Sequence, residues 1–170
     1  MELDISDQES FRRMMSRYAT GVVVVSTCRD GVDHAMTANS FASLSLDPLL
    51  VLVCIDRASR FHSAVLASPT WAVNILGERH RHAASWFATR GRPLSNQFAG
   101  FPTTRGTVSG AILLEGALAV VECETYALHP GGDHDILVGQ VRALHLGDDE
   151  HHDDSPLLYF RHGFRGLLDA

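Results

Sequence analysis

The chain has 170 residues, 45% hydrophobic and 20% charged, which is the balance of a globular protein and not of a disordered one. With 14 Lys and Arg against 20 Asp and Glu, the net charge is −6. Nucleic acid and anionic membrane surfaces both need clustered positive charge, so neither is an expected partner. No apolar run approaches the ~20 residues that span a bilayer, and the acidic start Met1 to Asp7 resembles neither a secretory nor a transit signal. One domain over residues 1–170 is expected.

In chain order, Ser6-Asp7-Gln8-Glu9 has capping-box spacing, with Ser6 as N-cap. Phe11, Met14, Met15 and Tyr18 then recur at helical spacing and predict a face packed in the core. Gly21 to Thr27 is β-branched and continuous, a buried strand, and Arg29-Asp30-Gly31 signals a hairpin turn. Ala35 to Ser45 is rich in small and hydroxyl residues. Asp47-Pro48 is a break before a second apolar strand, Leu49 to Ile55. Arg57 to Leu66 predicts a short helix ended by Ser68-Pro69, and Trp71 to Leu76 a third strand.

From Gly77 to Arg105 the period is unclear. His80 to Ala88 suits a helix with Trp86 and Phe87 inward, and the Pro and Gly residues that follow predict a long irregular segment of the kind that carries function. Ile112 to Leu128 and Ile136 to Leu146 are the longest strand candidates, joined as a hairpin through His129-Pro-Gly-Gly-Asp-His134. Gly147 to Ser155 is an acidic loop, and Leu157 to Phe160 a last short strand. Short strands dominate without βαβ alternation, which argues against a Rossmann arrangement and favours a small β-barrel with appended helices.

No G-x-G-x-x-G, Walker A, H-E-x-x-H or G-x-S-x-G motif is present. The three cysteines, at 28, 54 and 123, are odd in number and scattered, which predicts free thiols in a reducing cytoplasm. The pairs His80/His82 and His151/His152 are spaced poorly for joint metal ligation, so no metal site is expected.

Three stretches remain. Thr37-Ala-Asn-Ser40, extended by Ser43 and Ser45, offers hydrogen-bonding groups with little bulk, suited to the rim of a flat ring, although taken alone an exposed strand face explains it better. Asp56-Arg57-Ala-Ser59-Arg60 opens a helix with two cations, suited to an anion and equally to an ordinary cap. Gly131-Gly-Asp-His134 allows close backbone approach at a hairpin tip, or is a plain turn.

Taken in order, these segments resemble the flavin reductase family of the FMN-binding split-barrel fold, whose members include reductase components of two-component flavin-dependent monooxygenases. The resemblance runs from Phe11 to Leu167. It rests on Phe11 to Val25, on Met36 to Pro48, on Trp71-Ala-Val-Asn-Ile-Leu76, on Glu115 to Ala119 with Glu122-Cys123, on Gly132-Asp-His134 with Val138 to Val141, and on Pro156 to Phe160. The chain departs from the family pattern at Gln97, where a basic residue is usual, and over Phe101 to Ser109.

The resemblance implies a mostly β, Greek-key split barrel with a few helices. It also implies hydride transfer from NADH or NADPH to FMN or FAD, a homodimer, and a separate monooxygenase that consumes the reduced flavin. Met36, Thr37, Ala38, Asn39 and Ser40 would line the isoalloxazine, with Ser45 in the same segment. Cys54, Ile55 and Asp56 would continue that wall through main-chain groups. Arg57, Ser59 and Arg60 would meet ribityl or phosphate. Ala88 and Phe98 would cover the cofactor, Tyr159 would close the site, and His134 would contact the nicotinamide. An oxidase of another substrate and a non-catalytic flavin carrier are the rival readings on this fold.

Overall fold

The structure, a computed structural model, describes residues 7–147 and 155–167. Its first helix, α1 (Gln8–Met15), is capped by Asp7, whose carboxylate accepts the N–H groups of Glu9 and Ser10, each at 3.0 Å. The cap therefore lies one residue later than expected. Ser6, and likewise His151 and His152, lie outside the described residues. The face of α1 also departs from expectation. Phe11, Met14, Met15 and Tyr18 are all exposed within the chain, so helical periodicity marked an apolar stripe but not the surface that covers it.

Seven strands build the main antiparallel sheet: β2 (Val23–Arg29), β3 (Val32–Ala38), β4 (Ala42–Leu46), β5 (Leu49–Asp56), β6 (Thr70–Ile75), β9 (Ala119–Gly131) and β10 (His134–Leu146). Their order is β3-β2-β6-β9-β10-β5-β4. Asp30 and Gly31, both at positive φ, make the expected two-residue turn between β2 and β3. Gly132 and Asp133 make the equivalent turn between β9 and β10. Ile112 to Leu128 is not one strand. It divides into β8 (Ile112–Leu114), paired with β7 (Thr103–Arg105), and β9, because Glu115 and Gly116, the latter at φ 72°, turn the chain. The short strands β1 (Thr20–Gly21), β11 (Leu158–Phe160) and β12 (Gly163–Arg165) form a separate three-stranded sheet.

The main sheet curls so that β2, β3, β5, β6, β9 and β10 all contribute to one core, which includes Val25, Ala38, Val53, Ile55, Trp71, Val121 and Leu137. Helix α2 (Arg60–Leu66) seats Phe61 and Val65 in it. The edge strands of the curled sheet are β3 and β4, so the barrel is split between β3 and the β4–β5 side. Just past β3, the Ser40 hydroxyl spans that split, donating to the Cys54 carbonyl and accepting the Cys54 N–H, both at 3.1 Å. A second core lies on the outer face of β2 and β3. There Val22, Val24 and Ala35 pack against Ala84 and Phe87 of α3 (Arg81–Ala88) and against Leu157. The buried Asn74 pins β8 to the sheet, donating to Val24 O at 3.0 Å and accepting the Leu114 N–H at 2.8 Å.

Candidate active site

The free edge of β3 forms the floor of the site. In a two-residue hairpin the closing pair, Arg29 and Val32, is hydrogen-bonded. Alternation then commits the peptide groups of His34, Met36 and Ala38 to β2 and turns those of Asp33, Ala35 and Thr37 to the edge. Two of the three edge carbonyls are capped. Gln97 Nε2 donates to Asp33 O at 2.7 Å, and Arg92 Nη2 donates to Ala35 O. The Thr37 hydroxyl donates to Ala84 O at 2.7 Å, which holds α3 beside the edge.

Two clefts meet at Thr37 and Ala88. The larger, about 500 Å³, lies between His34–Thr37 of β3, the Asp56–Phe61 turn and the Phe87–Leu94 segment. The smaller, about 220 Å³, is lined by Val22, Thr37, Ala38, Asn39, Ala88, Tyr159 and Phe164. Together they offer an elongated slot with a main-chain edge, apolar walls and cations at one end, the features of a site for a ring bearing a charged tail. A flavin nucleotide fits that description.

The charge is unevenly spread. Arg60, Arg90, Arg92 and His34 line the larger cleft against a single carboxylate, Asp56. Asp56 accepts the Ala58 N–H at 2.8 Å and pairs with Arg90 at 2.9 Å. Burial lowers the His34 pKa, and repulsion from Arg60 and Arg29 lowers it further. Ser59 caps α2, accepting the His62 N–H at 3.1 Å.

The sequence-predicted residues divide. Met36, Thr37, Asp56, Ser59 and Arg60 line the larger cleft, and Thr37, Ala38, Asn39 and Tyr159 the smaller. The others lie elsewhere. Ser40 and the Cys54 main chain bond to each other, and Ile55 points into the core at 1% exposure. Ser45 accepts the Asp47 N–H at 3.2 Å. Phe98 backs Phe87 with ring centres 5.0 Å apart. Arg57 turns away to Asp135 and the Gly132 carbonyl. His134 is the cross-strand partner of Asp56, so its side chain projects from the same face beside the larger cleft, where its Nδ1 lies 2.7 Å from Asp133 Oδ1. Of the histidine pair on α3 and the turn before it, His80 Nε2 lies 3.0 Å from Glu115 O and His82 packs on Phe101.

Sequence reasoning missed His34, Arg90 and Arg92. Arg90-Gly-Arg92 falls in the aperiodic stretch, and nothing in its composition marks one arginine as exposed and the other as buried.

The flavin reductase like domain matches residues 15–168. The chain belongs to that family. It is 35% identical over 161 residues, 95% of this chain and 97% of the relative, to the reductase component of 4-hydroxyphenylacetate 3-monooxygenase from Thermus thermophilus. It is 41% identical over 140 residues, 82% of this chain and 76% of the relative, to an NADH-dependent FAD reductase from Streptomyces globisporus. Among solved structures, the NADH:FAD oxidoreductase of Streptomyces globisporus C-1027, in complex with NAD and FAD fragments, superposes with a TM-score of 0.91 at 34% identity, covering 99% of this chain and 97% of that one.

Proposed function

We propose that this flavin reductase family member is an NAD(P)H:flavin oxidoreductase that reduces FMN or FAD and passes the product to a separate flavin-dependent monooxygenase. The observation that carries this is the slot at the free edge of β3, in which an uncapped peptide at Thr37 and unpaired positive charge lie within one cleft. The names of the relatives support the same class of reaction.

When bound, the flavin supplies the acceptor for the hydride that reduced nicotinamide gives up, and the two ring systems do that chemistry themselves. The protein's part is orientation. Thr37 offers its main-chain groups to the ring rim, with the Ala38 and Asn39 side chains beside them. Met36, Ala88 and Tyr159 exclude water from its faces. Ser59 and Arg60 hold the tail. Asp56 and Arg90 border the mouth, and His134, on the same face as Asp56, meets the nicotinamide side. No acid–base pair is required, and the cleft offers donors and cations instead.

The reading includes one domain over residues 1–170, a homodimer and a cytoplasmic location. Large apolar side chains stand exposed on α1 and at Leu44, Leu46, Leu144 and Leu146, surface of the kind a second copy covers. The free thiols suit a reducing compartment. Among the described residues no helix is long and apolar enough to cross a membrane.

NADH absorbance followed with purified protein, with and without added FMN or FAD, tests the reading. Oxidation that depends on added flavin and saturates with it is expected. Absence of oxidation with either flavin and either nicotinamide overturns it in favour of a flavin carrier or an oxidase. Sedimentation equilibrium tests the dimer.

A further inference from the structure

Among the described residues, Arg92 is a buried cation with no anion beside it. The residue is 9% exposed, and all its hydrogen bonds end on neutral acceptors. These are the carbonyls of Phe87 at 2.9 Å, Thr89 at 3.1 Å and Ala35, and Oε1 of Gln97 at 3.2 Å. Burial, and then repulsion from Arg60, push its pKa down to about 10, so it keeps its charge at neutral pH. Arg60 makes no hydrogen bond or ion pair among the described residues, and both residues line the larger cleft. Unpaired buried charge is destabilising unless something offsets it, and in a chain of net charge −6 such an excess at one cleft points to an anionic ligand.

Arg92 also decides which peptide of β3 is available. Arg92 and Gln97 are bonded to each other and cap the edge carbonyls of Ala35 and Asp33. Trp86 Nε1 donates to Gln97 O at 2.8 Å, which ties the same segment to α3. Among the described residues the first uncapped edge carbonyl is that of Thr37, where the two clefts meet.

We propose that Arg92, held by Gln97, is a positioning residue for the flavin nucleotide: it closes the β3 edge up to Thr37 and, with Arg60, presents unpaired positive charge that the flavin's phosphate offsets. The inference rests on the flavin reductase reading. It gives Gln97 a purpose, because a neutral amide at this position steers Arg92 without cancelling its charge, whereas a carboxylate would cancel it.

The test is binding of FMN and of riboflavin, followed by flavin fluorescence, for the wild type, Arg92→Met, Arg92→Lys and Gln97→Glu. Riboflavin lacks the phosphate, so the ratio of the two affinities isolates the charge from any loosening of the segment. The wild type should prefer FMN by about tenfold or more, the worth of a charge-assisted hydrogen bond to phosphate. Arg92→Met and Gln97→Glu should each erase most of that preference. Arg92→Lys should keep most of it while weakening both flavins, because an ammonium keeps the charge but cannot reach all of Arg92's acceptors. A wild-type ratio in both Arg92→Met and Gln97→Glu overturns the inference and leaves Arg92 a loop strap. If Arg92→Met does not fold, the Gln97→Glu ratio decides. A wild type that binds neither flavin removes the reductase reading and this inference together, whereas a wild type that binds both alike removes only the inference.

Discussion

Arg57 and Asp135, 78 residues apart in the chain, meet at 2.6 Å. Nε and Nη2 of Arg57 both donate to Asp135 Oδ1, and His62 Nε2 lies 2.7 Å from Oδ2. The Arg57 N–H donates to Asp133 O, and its Nη1 to Gly132 O. An arginine that the sequence offers as an anion ligand therefore clamps the β9–β10 hairpin tip to the start of α2. The clamp places His134 beside the cleft.

Asp135→Asn should loosen that tip. The expected result is a several-fold rise in KM for the nicotinamide with the flavin dissociation constant little changed, measured by steady-state kinetics and flavin fluorescence. Equal effects on both ligands would place the tip over the flavin instead.

His134→Ala should lower kcat/KM for the nicotinamide by about tenfold, the loss of one ligand hydrogen bond and its orientation. Flavin affinity should hold. An unchanged kcat/KM would reduce the Gly-Asp-His block to an ordinary turn.

Glu122 predicts an acid limit to stability. Its carboxylate is fully buried and accepts the Ser109 N–H and hydroxyl, each at 2.6 Å, and the Val108 N–H at 3.2 Å, with His145 Nε2 at 2.8 Å. Burial raises its pKa, but the hydrogen bonds from Ser109, His145 and Val108 outweigh that, and the net shift is downward. A carboxyl lowered on folding contributes stability that is complete above its unfolded value, near ~4.3, and is lost as pH falls through its folded value. Thermal melts should fall on the acid side of that range and less steeply in Glu122→Gln. Glu122→Ala, which strands several buried donors, should cost roughly 3 kcal/mol at neutral pH by chemical denaturation.

Gly139→Ala tests the packing inside the barrel. A Cβ there would lie 2.4 Å from Trp71 Cζ2 and 2.8 Å from Cys123 Cβ, and Trp71 is fully buried and cannot retreat. Overpacking of this kind costs about 1–3 kcal/mol, so the melting temperature should drop by several degrees. Wild-type stability would mean that the ring moves aside.

Thr37→Val keeps the shape of the side chain and removes its bond to Ala84 O. The expected loss is about 1 kcal/mol of stability, with weaker flavin binding as α3 drifts from the β3 edge. Fluorescence titration beside denaturant unfolding separates the two effects.

Strand identity, the two tight turns and the ordered blocks of the family were legible in the sequence because each depends on neighbours within a few residues. Gly21 to Thr27 reads as a buried strand from β-branching, and the strand observed there is Val23–Arg29; Asp30-Gly31 and the Gly132-Asp133 tip read as turns from backbone freedom at glycine. The fate of the α1 stripe was not legible, since periodicity marks an apolar face without naming what covers it. The end of β8 at Glu115-Gly116 was hidden by apolar residues on both sides.

The residues around the ring slot were partly legible for the same reason. Thr37 to Asn39 and Ser59-Arg60 are contiguous runs of suitable chemistry. What the tertiary structure decided is which of them share a cavity and which are spent on structure. Arg57 is turned to Asp135, and Ser40 to Cys54. Arg92, from an aperiodic stretch, is buried against the Ala35 carbonyl 57 residues away. A local pattern determines backbone conformation and amphipathic face. The environment of a charge depends on groups brought from distant parts of the chain, and no local spacing encodes that meeting.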